Sequence, residues 1–491
     1  MHRGLVALAA GILLSSLSSR CGRPPVSPVR PLRIALLSDW FTLDPHGGEL
    51  GLQTINVLRN VYDALTAFDA GNRVAPALAE SWENRDELTW IFHLRRGVSF
   101  HDGQELTARD VLWSFDRARR APPSRIGTYL IAIDKVLALD AHTVEITTRR
   151  PYPILLNKIA FVLIVPAGSP PVISQPVGTG PYRLVFHEPG KRVALRAFDR
   201  YWGGAATVQS VEFLVIPDRD ARVKGLLDGD LDIVEEAGAA DLGRIRTARG
   251  CRIVSQTSLG VAYLELRSDR RPLDDPRPRR ALSLALDRGA LAQALGGEAE
   301  PIGQMVTRNV FGFAPGIPPP AADPAGARAL LAAAGYAGGL DLALQIHQVP
   351  RAELAAMVRQ LLSAGIRVHP GAAAPEADLR FNSWISPSGD ASDFFDVVAH
   401  SPTQNGYGAG SFFHHQDPAL DALIENSEAT LDMLTRRIKL EHAMRVAMSD
   451  FVFIPLYSTP VLYGTRDDVD WRPRSDLLIL VNTIRRQPPR G

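Results

Sequence analysis

The sequence predicts an α/β protein, and three observations predict it. Short apolar runs with strand character recur along the first half. "PLRIALLSDW" (residues 31–40) reads as a buried strand, and "LTWIFHL" alternates, with Trp90, Phe92 and Leu94 on one face and Ile91 and His93 on the other. From about Thr257 strands and helices alternate, which is the pattern of an α/β lobe. The helices carry start signals: Asp275-Pro276 and Asp323-Pro324 each put a capping acceptor before a proline at the first helical position.

Taken in order, the chain begins with Arg3 and an apolar run, residues 4–14, then "SSLSSRCG". The run is too short to span a bilayer as a mature helix and reads as a secretory signal covering residues 1–20. Two processing routes fit. Cys21 is the acylated first residue of a lipoprotein, with Arg20 standing where a small residue is usual, or a signal peptidase cuts after Ser16-x-Ser18. The Pro-rich stretch that follows, residues 21–31, suits an extended tether.

Beyond the first strand, "HDGQ" (101–104) is a hairpin-type turn and Thr107 caps a helix with Asp110 three residues on. Two strands flank a turn at Asp140. "PVGTGPY" (176–182) interrupts the strand series with two glycines and two prolines, which suit positive φ, close backbone approach and an extended entry to Pro181. Three strands, a helix at about 219–227 stopped by Gly229, and the strand "DLDIVEE" follow. In the last part Asp287 starts a helix that Gly296 ends, Gly335 ends another, and long helices precede a final strand.

Composition bounds the function. At 491 residues, about three domains are expected. The formal charge of +1 offers no field to attract nucleic acid or an anionic membrane, and the basic stretch 270–280 is broken by Asp274, Asp275 and prolines, as in a solvated turn. Two cysteines, Cys21 and Cys251, leave no CxxC; they pair if Cys21 is unmodified, and otherwise Cys251 is a small buried apolar residue. GxSxG, HExxH and a phosphate loop are all absent, so neither catalysis nor a bound cofactor is expected. His414 and His415 are adjacent, so on a strand they point apart and do not readily share one ion; no metal site is expected. In the same glycine-rich loop Asn405 and Tyr407 offer polar groups to a ligand.

Seven stretches then occur in a set order: "PALAESW", "FHLRRGVSFHDGQELTARDVLWSF", "PVGTGPYRL", "YWGG", "RRALSLALDR", "ALLAAAGY" and "FIPLY". Together they make the chain resemble the extracellular solute-binding proteins of the oligopeptide-, dipeptide- and nickel-binding class, the family 5 receptors of ABC importers. The resemblance implies a periplasmic-binding-protein-like clamshell, type II, cluster C, with an additional inserted lobe. Lobe I would comprise 32–54, 172–256 and 460–491, lobe II 55–171 and lobe III 257–459, with "PVGTGPY" marking the return into lobe I.

It further implies a monomer outside the cytoplasmic membrane, periplasmic or lipid-anchored, that captures a peptide or other small solute and hands it to permease and ATPase subunits. A ligand-sensing receptor of the same fold and a secreted hydrolase are the rival readings. In the class, a Trp is followed three residues later by a carboxylate that holds a peptide's α-ammonium, then by Gly-Asp-Pro and Phe. Here Trp384, Gly389, Asp390 and Phe394 match, but Pro387 stands at the carboxylate position, leaving Asp390 or Asp393 to replace it. The Pro387 side chain has no carboxylate to accept that charge-assisted bond. Asp39 and Trp40, at the end of the first strand, would face the cleft from the other side.

Overall fold

The computed structural model describes residues 30–40, 42–48, 51–121, 125–235, 239–346, 351–404 and 406–487. Cys21, Asn405 and almost all of the signal and tether lie outside them. The centrepiece is an eleven-stranded mixed sheet. Two long antiparallel strands, Cys251–Leu266 and Phe453–Arg466, run through its middle. On one side of them lie, in order, Ile233–Glu235, Leu32–Leu36, Ser210–Val215, Arg192–Ala197 and Tyr182–Glu188. On the other lie Leu379–Ile385, Leu340–Ile346 and Ile366–Pro370. The short strand Glu300–Pro301 adds to the second long strand.

Each half has its own apolar core. Leu32, Ile34, Leu36, Val211 and Phe213 are buried on the first half; Leu264, Leu282, Leu342, Ile366 and Leu379 are buried on the second. Full burial of one such side chain contributes about 1.5–3 kcal/mol, so each half is a separately stabilised body. A four-stranded antiparallel sheet forms a third body, in the order Ala79–Asn84, Thr89–Leu94, Thr143–Thr148, Ile133–Asp140. Trp90, Phe92 and Leu94 are buried there as the alternation predicts, Ile91 of the opposite face is buried as well, and the helix Ala108–Arg120 covers the sheet with Val111 and Phe115.

The helix starts follow the capping signals. The Thr107 and Asp110 side chains form a capping box, and Asp275, Asp287 and Asp323 accept from the backbone N–H of Arg277, Ala290 and Gly326. Of the two reasons expected for the glycines of 176–182, close backbone approach holds and positive φ does not. Neither Gly178 nor Gly180 is in the left-handed region. Both are needed because the backbone at Val61 passes against them: a Cβ on Gly178 would lie 2.0 Å from the Val61 carbonyl oxygen, and one on Gly180 2.5 Å from the Val61 carbonyl carbon. Gly180 N–H donates to Val61 O at 3.0 Å. Thr179, Tyr201 and Trp202 all donate to Asp63, so the "YWGG" stretch and the heptapeptide clamp one turn of chain.

Candidate functional site

The pairing of the two long strands locates a hinge-like break. Register shifts between Thr257, opposite Pro460, and Val261, opposite Ser458. Gly260 sits in the break, where a Cβ would meet Thr459 Oγ1 at 2.3 Å, and the Ser258 and Thr459 hydroxyls bond at 2.7 Å. Strand Leu379–Ile385 runs toward this break, ending with Ile385 opposite Gly260. From the other half Ile233–Glu235 also runs toward it, and Leu32–Leu36 lies parallel to that strand. The carboxyl ends of strands from both halves therefore converge on one crevice, which is where open α/β sheets place ligands. Leu37–Trp40 leave from one side and Ser386–Ser388 from the other.

On the first side Trp40 is buried in the lobe core. Its indole N–H donates to His187 Nε2 at 3.0 Å. Burial lowers the His187 pKa, which keeps that nitrogen an acceptor. Trp40 thus covers the sheet edge, while half-buried Asp39 keeps one carboxylate oxygen, Oδ1, without a partner among the described residues. Glu235, not singled out from the sequence, ends its strand at the same place. Its carboxylate accepts from Leu37 N–H, Gln53 Nε2 and Asn56 Nδ2. The only sequence signal was an acid closing a buried strand in "DLDIVEE".

On the second side Trp384 is half-buried, packs against the apolar cluster of the far lobe and leaves its indole N–H unpartnered among the described residues. Ser386 is fully buried, and its hydroxyl has no partner among the described residues. The following loop consumes its carboxylates internally. Asp390 places both oxygens on Arg436, at 2.6 and 2.8 Å, and accepts from Ser392 N–H and Oγ. Burial alone would raise its pKa, but Arg436 outweighs burial and lowers it. Asp390 is therefore held as a structural carboxylate away from the crevice. Phe394 likewise is fully buried, edge-on to Phe453 at 5.3 Å, with no face left for a ligand.

Asp393 sits where the inserted sheet's body meets the far lobe. Oδ2 accepts from Ser388 N–H and Oγ, and Oδ1 accepts from Lys158 Nζ at 2.6 Å. Lys158 also stands 5.0 Å over the Tyr129 ring. Burial by itself would lower the Lys158 pKa; the Asp393 carboxylate overrides it, and the ammonium is held above its ordinary range. Asn157 Nδ2 donates to Ser388 O across the same seam. Tyr407 belongs to this seam too. It stacks on His400 at 4.2 Å, donates to Glu428 and accepts from Arg150 Nη1 at 3.0 Å. Lys158, Arg150, Arg436 and Glu428 were not found from the sequence, where each reads as an ordinary helix or loop charge.

The site residues thus fall into three groups: Asp39 and Trp40 on one wall, Trp384 beside the hinge break, and Asp390, Asp393, Phe394 and Tyr407 in and behind the far wall. Elsewhere His415 Nδ1 bonds Ser268 Oγ at 3.0 Å, and among the described residues no group of three or more His, Cys, Asp or Glu is placed to hold a metal. Cys251 is buried and has no disulfide partner among the described residues. No helix among the described residues is long and apolar enough to cross a membrane.

Comparisons with known proteins bear on this geometry. The pattern of the bacterial extracellular solute-binding proteins, family 5 (middle), matches residues 73–406. The dipeptide-binding protein of Escherichia coli is 29% identical over 324 residues, which cover 59% of this chain and 61% of that protein. A glutathione-binding protein of Pectobacterium atrosepticum is 27% identical and matches over 91% of both chains. The structure of HbpA2 from Haemophilus parasuis superposes with a TM-score of 0.83 at 21% identity, covering 94% of this chain and all of the other. The match spans about three fifths of the dipeptide-binding relative's length. The fold is that of a type II periplasmic-binding-protein-like clamshell, and the chain belongs to the bacterial extracellular solute-binding protein family 5.

Proposed function

We propose that this chain is the solute-capturing component of an ABC importer, working outside the cytoplasmic membrane. The observation that carries the reading is the crevice at which strand ends from two separately cored sheet halves meet, joined through two strands whose pairing breaks at Thr257–Val261. A solute touching both walls binds the closed arrangement better and shifts the population toward it. The permease and its ATPase supply the transport work; this chain supplies capture. We place the division between lobes I and III at that break, with 257–459 as lobe III and 55–171 as the inserted lobe II.

Relatives named for dipeptides, glutathione and heme frame the ligand question. Two features favour a ligand without a free peptide N-terminus. The Pro387 side chain offers no acceptor to an ammonium, and Asp393, the remaining acid nearby, already accepts from the Lys158 ammonium. An unpaired ammonium in a dry cleft is costly, and losing one charged hydrogen bond weakens binding by roughly ten- to a hundredfold. Trp384 and Asp39 are assigned to the cleft walls. The test is calorimetry with a dipeptide series and its N-acetylated counterparts on wild type and Trp384→Ala. Weak binding of the free forms, and loss of whatever does bind in Trp384→Ala, is expected. Tight binding of free dipeptides, abolished by acetylation, would overturn the ligand assignment.

The N-terminal segment is assigned to export, with acylation at Cys21 and the protein held at the membrane as a monomer. Cys21→Ser should move it from the membrane fraction to the soluble one. Intact mass of the native protein showing an unmodified Cys21 would refute the anchor.

A further inference from the structure

Where the body of the inserted sheet meets the far lobe there is a cavity of about 690 Å³, and none of Asp39, Trp40 and Trp384 lines it. That volume is within the usual range for small-molecule sites, about 300–1,000 Å³. Strand register sets the character of one wall. Trp82 lies opposite Phe92 and Asn84 opposite Trp90, so Trp82, Asn84 and Trp90, all lining the cavity, share one face of the sheet. Glu83, opposite Ile91, points its carboxylate to the other face. This wall is therefore two indoles and a carboxamide, without a charge. Trp90 is 6% exposed, and its indole N–H has no acceptor among the described residues.

Asn72 also lines the cavity, from the turn between Thr66–Phe68 and Val74–Pro76. It is held at φ 61°, is 5% exposed, and neither polar atom of its carboxamide has a partner among the described residues. Gly389 of the far lobe lies against it: a Cβ there would come within 2.1 Å of Asn72 Nδ2. The carboxamide is thus fixed at the junction of the two bodies. Buried polar atoms without partners are costly. Three of them border this one cavity: the Trp90 N–H, the Asn72 amide nitrogen and the Asn72 amide oxygen. Two of the three donate and one accepts.

The charges around the cavity leave one cation. Arg73 pairs with Asp69, Asp390 pairs with Arg436, and Glu83 faces away. Arg308, exposed on the far lobe at the edge of the cavity, has no ion pair or side-chain hydrogen bond among the described residues. A ligand that answers this lining is flat, to lie on the indoles, and carries a negative group for Arg308. Away from that group it carries an atom that both donates and accepts, as a hydroxyl does. It carries no cation, because no unpaired anion faces the cavity. We propose that the cavity is a second ligand site, separate from the crevice at the hinge break, and that it takes a hydroxylated aromatic carboxylate. The carboxylate meets Arg308, and the ring hydroxyl meets the buried polar atoms, donating to Asn72 Oδ1 and accepting from an N–H. Because the lining comes from both bodies, occupancy favours their contact.

The test is calorimetry on the full chain with 4-hydroxybenzoate, benzoate, phenol and 4-hydroxybenzylamine. The hydroxybenzoate should bind at a single site, and each of the other three about tenfold or more weakly. Arg308→Ala should weaken the hydroxybenzoate about tenfold and leave phenol unchanged. Asn72→Gly removes the carboxamide and keeps the positive φ without strain. It should bring the hydroxybenzoate to the affinity of benzoate and leave benzoate unchanged. Arg308 is exposed, so its variant reads the site without touching the core of either body. Trp384→Ala should leave hydroxybenzoate binding intact, which separates this site from the crevice. Absence of hydroxybenzoate binding at millimolar concentration, equal binding of the benzylamine, indifference to Arg308→Ala or to Asn72→Gly, or loss in Trp384→Ala would each overturn the proposal.

Discussion

Asp390 and Asp393 stand three residues apart on one loop, both buried, each against a cation that is itself buried. Their cations come from different bodies. Arg436 lies on the helix Met433–Ser449 of the same lobe and grips Asp390 with two nitrogens. Lys158 lies on the helix Leu155–Ile159 of the inserted lobe and reaches Asp393 with one. The first pair can only be broken by unfolding its lobe. The second can be broken by separating two folded bodies, after which water reaches both charges. Two pairs of like chemistry thus have different alternatives, and the alternative sets what each is worth.

The sharpest way to break this comparison is to delete each cation. Arg436→Leu leaves Asp390 charged and dry, and removing one partner of a fully buried pair costs about 3–5 kcal/mol. Urea unfolding should show that loss, and a loss below about 1 kcal/mol, the range of exposed pairs, would break the contrast. Lys158→Met should cost less, about 1–3 kcal/mol, as for an unsatisfied buried group, since the seam can open to hydrate Asp393. Small-angle scattering on the ligand-free variant should show a larger radius of gyration than wild type. An unchanged radius together with an Arg436-sized loss would mean that the seam does not open.

Arg150 refines the contrast within the seam. It too crosses from the inserted lobe, to Glu428 at 3.3 Å and to the Tyr407 hydroxyl, but its side chain is 53% exposed. Solvent screens such a pair, so Arg150→Ala should cost no more than about 1 kcal/mol. The difference from wild type should shrink further in 1 M salt, where the screening length is about 3 Å. A salt-independent loss as large as that of Lys158→Met would make burial irrelevant to the ranking.

What could be read from the sequence follows the same division between local and distant causes. The inward face of Trp90, Phe92 and Leu94, and the caps at Thr107, Asp275, Asp287 and Asp323, are set within a few residues of chain and came through intact, whereas Ile91, expected on the open face, is buried. The heptapeptide was legible as a place of close backbone approach, but the segment that approaches it was not. Gly178 and Gly180 are small because Val61, more than a hundred residues earlier, runs against them. Trp40 was expected to face the cleft; His187, 147 residues away, turns its indole into the sheet edge. The role of Asp393 depends on Lys158 at a separation of 235 residues, and "NKIA" gives no hint of it. The loop carries its motif in sequence, but which of its acids are already occupied is set by cations far away in the chain.

A third acid extends the series. Asp396 follows Asp393 by another three residues and is half-buried, its Oδ1 buried and unpartnered among the described residues, with Glu428 beside it and no cation paired to it there. Burial first, and the Glu428 carboxylate second, raise its pKa well above the ordinary 3.8. The sign of the consequence is opposite to that for a salt-bridged acid. The folded state keeps the Asp396 proton to a higher pH than the unfolded chain does, so the folded state binds more protons above pH 3.8, and stability falls as pH rises from there toward the folded pKa. Asp396→Asn replaces the protonated form with a neutral group of similar shape that does not titrate. Near pH 4 the variant should therefore match wild type within about 0.5 kcal/mol, the usual range for a change that breaks no special feature. As pH rises the difference should grow in the variant's favour, because only wild type loses stability at this position. Urea unfolding of both proteins across pH 4–8 reads that difference directly. A variant that grows less stable than wild type with rising pH would show that Asp396 is ionised in the fold and has a cation after all, placing it with Asp390 and Asp393.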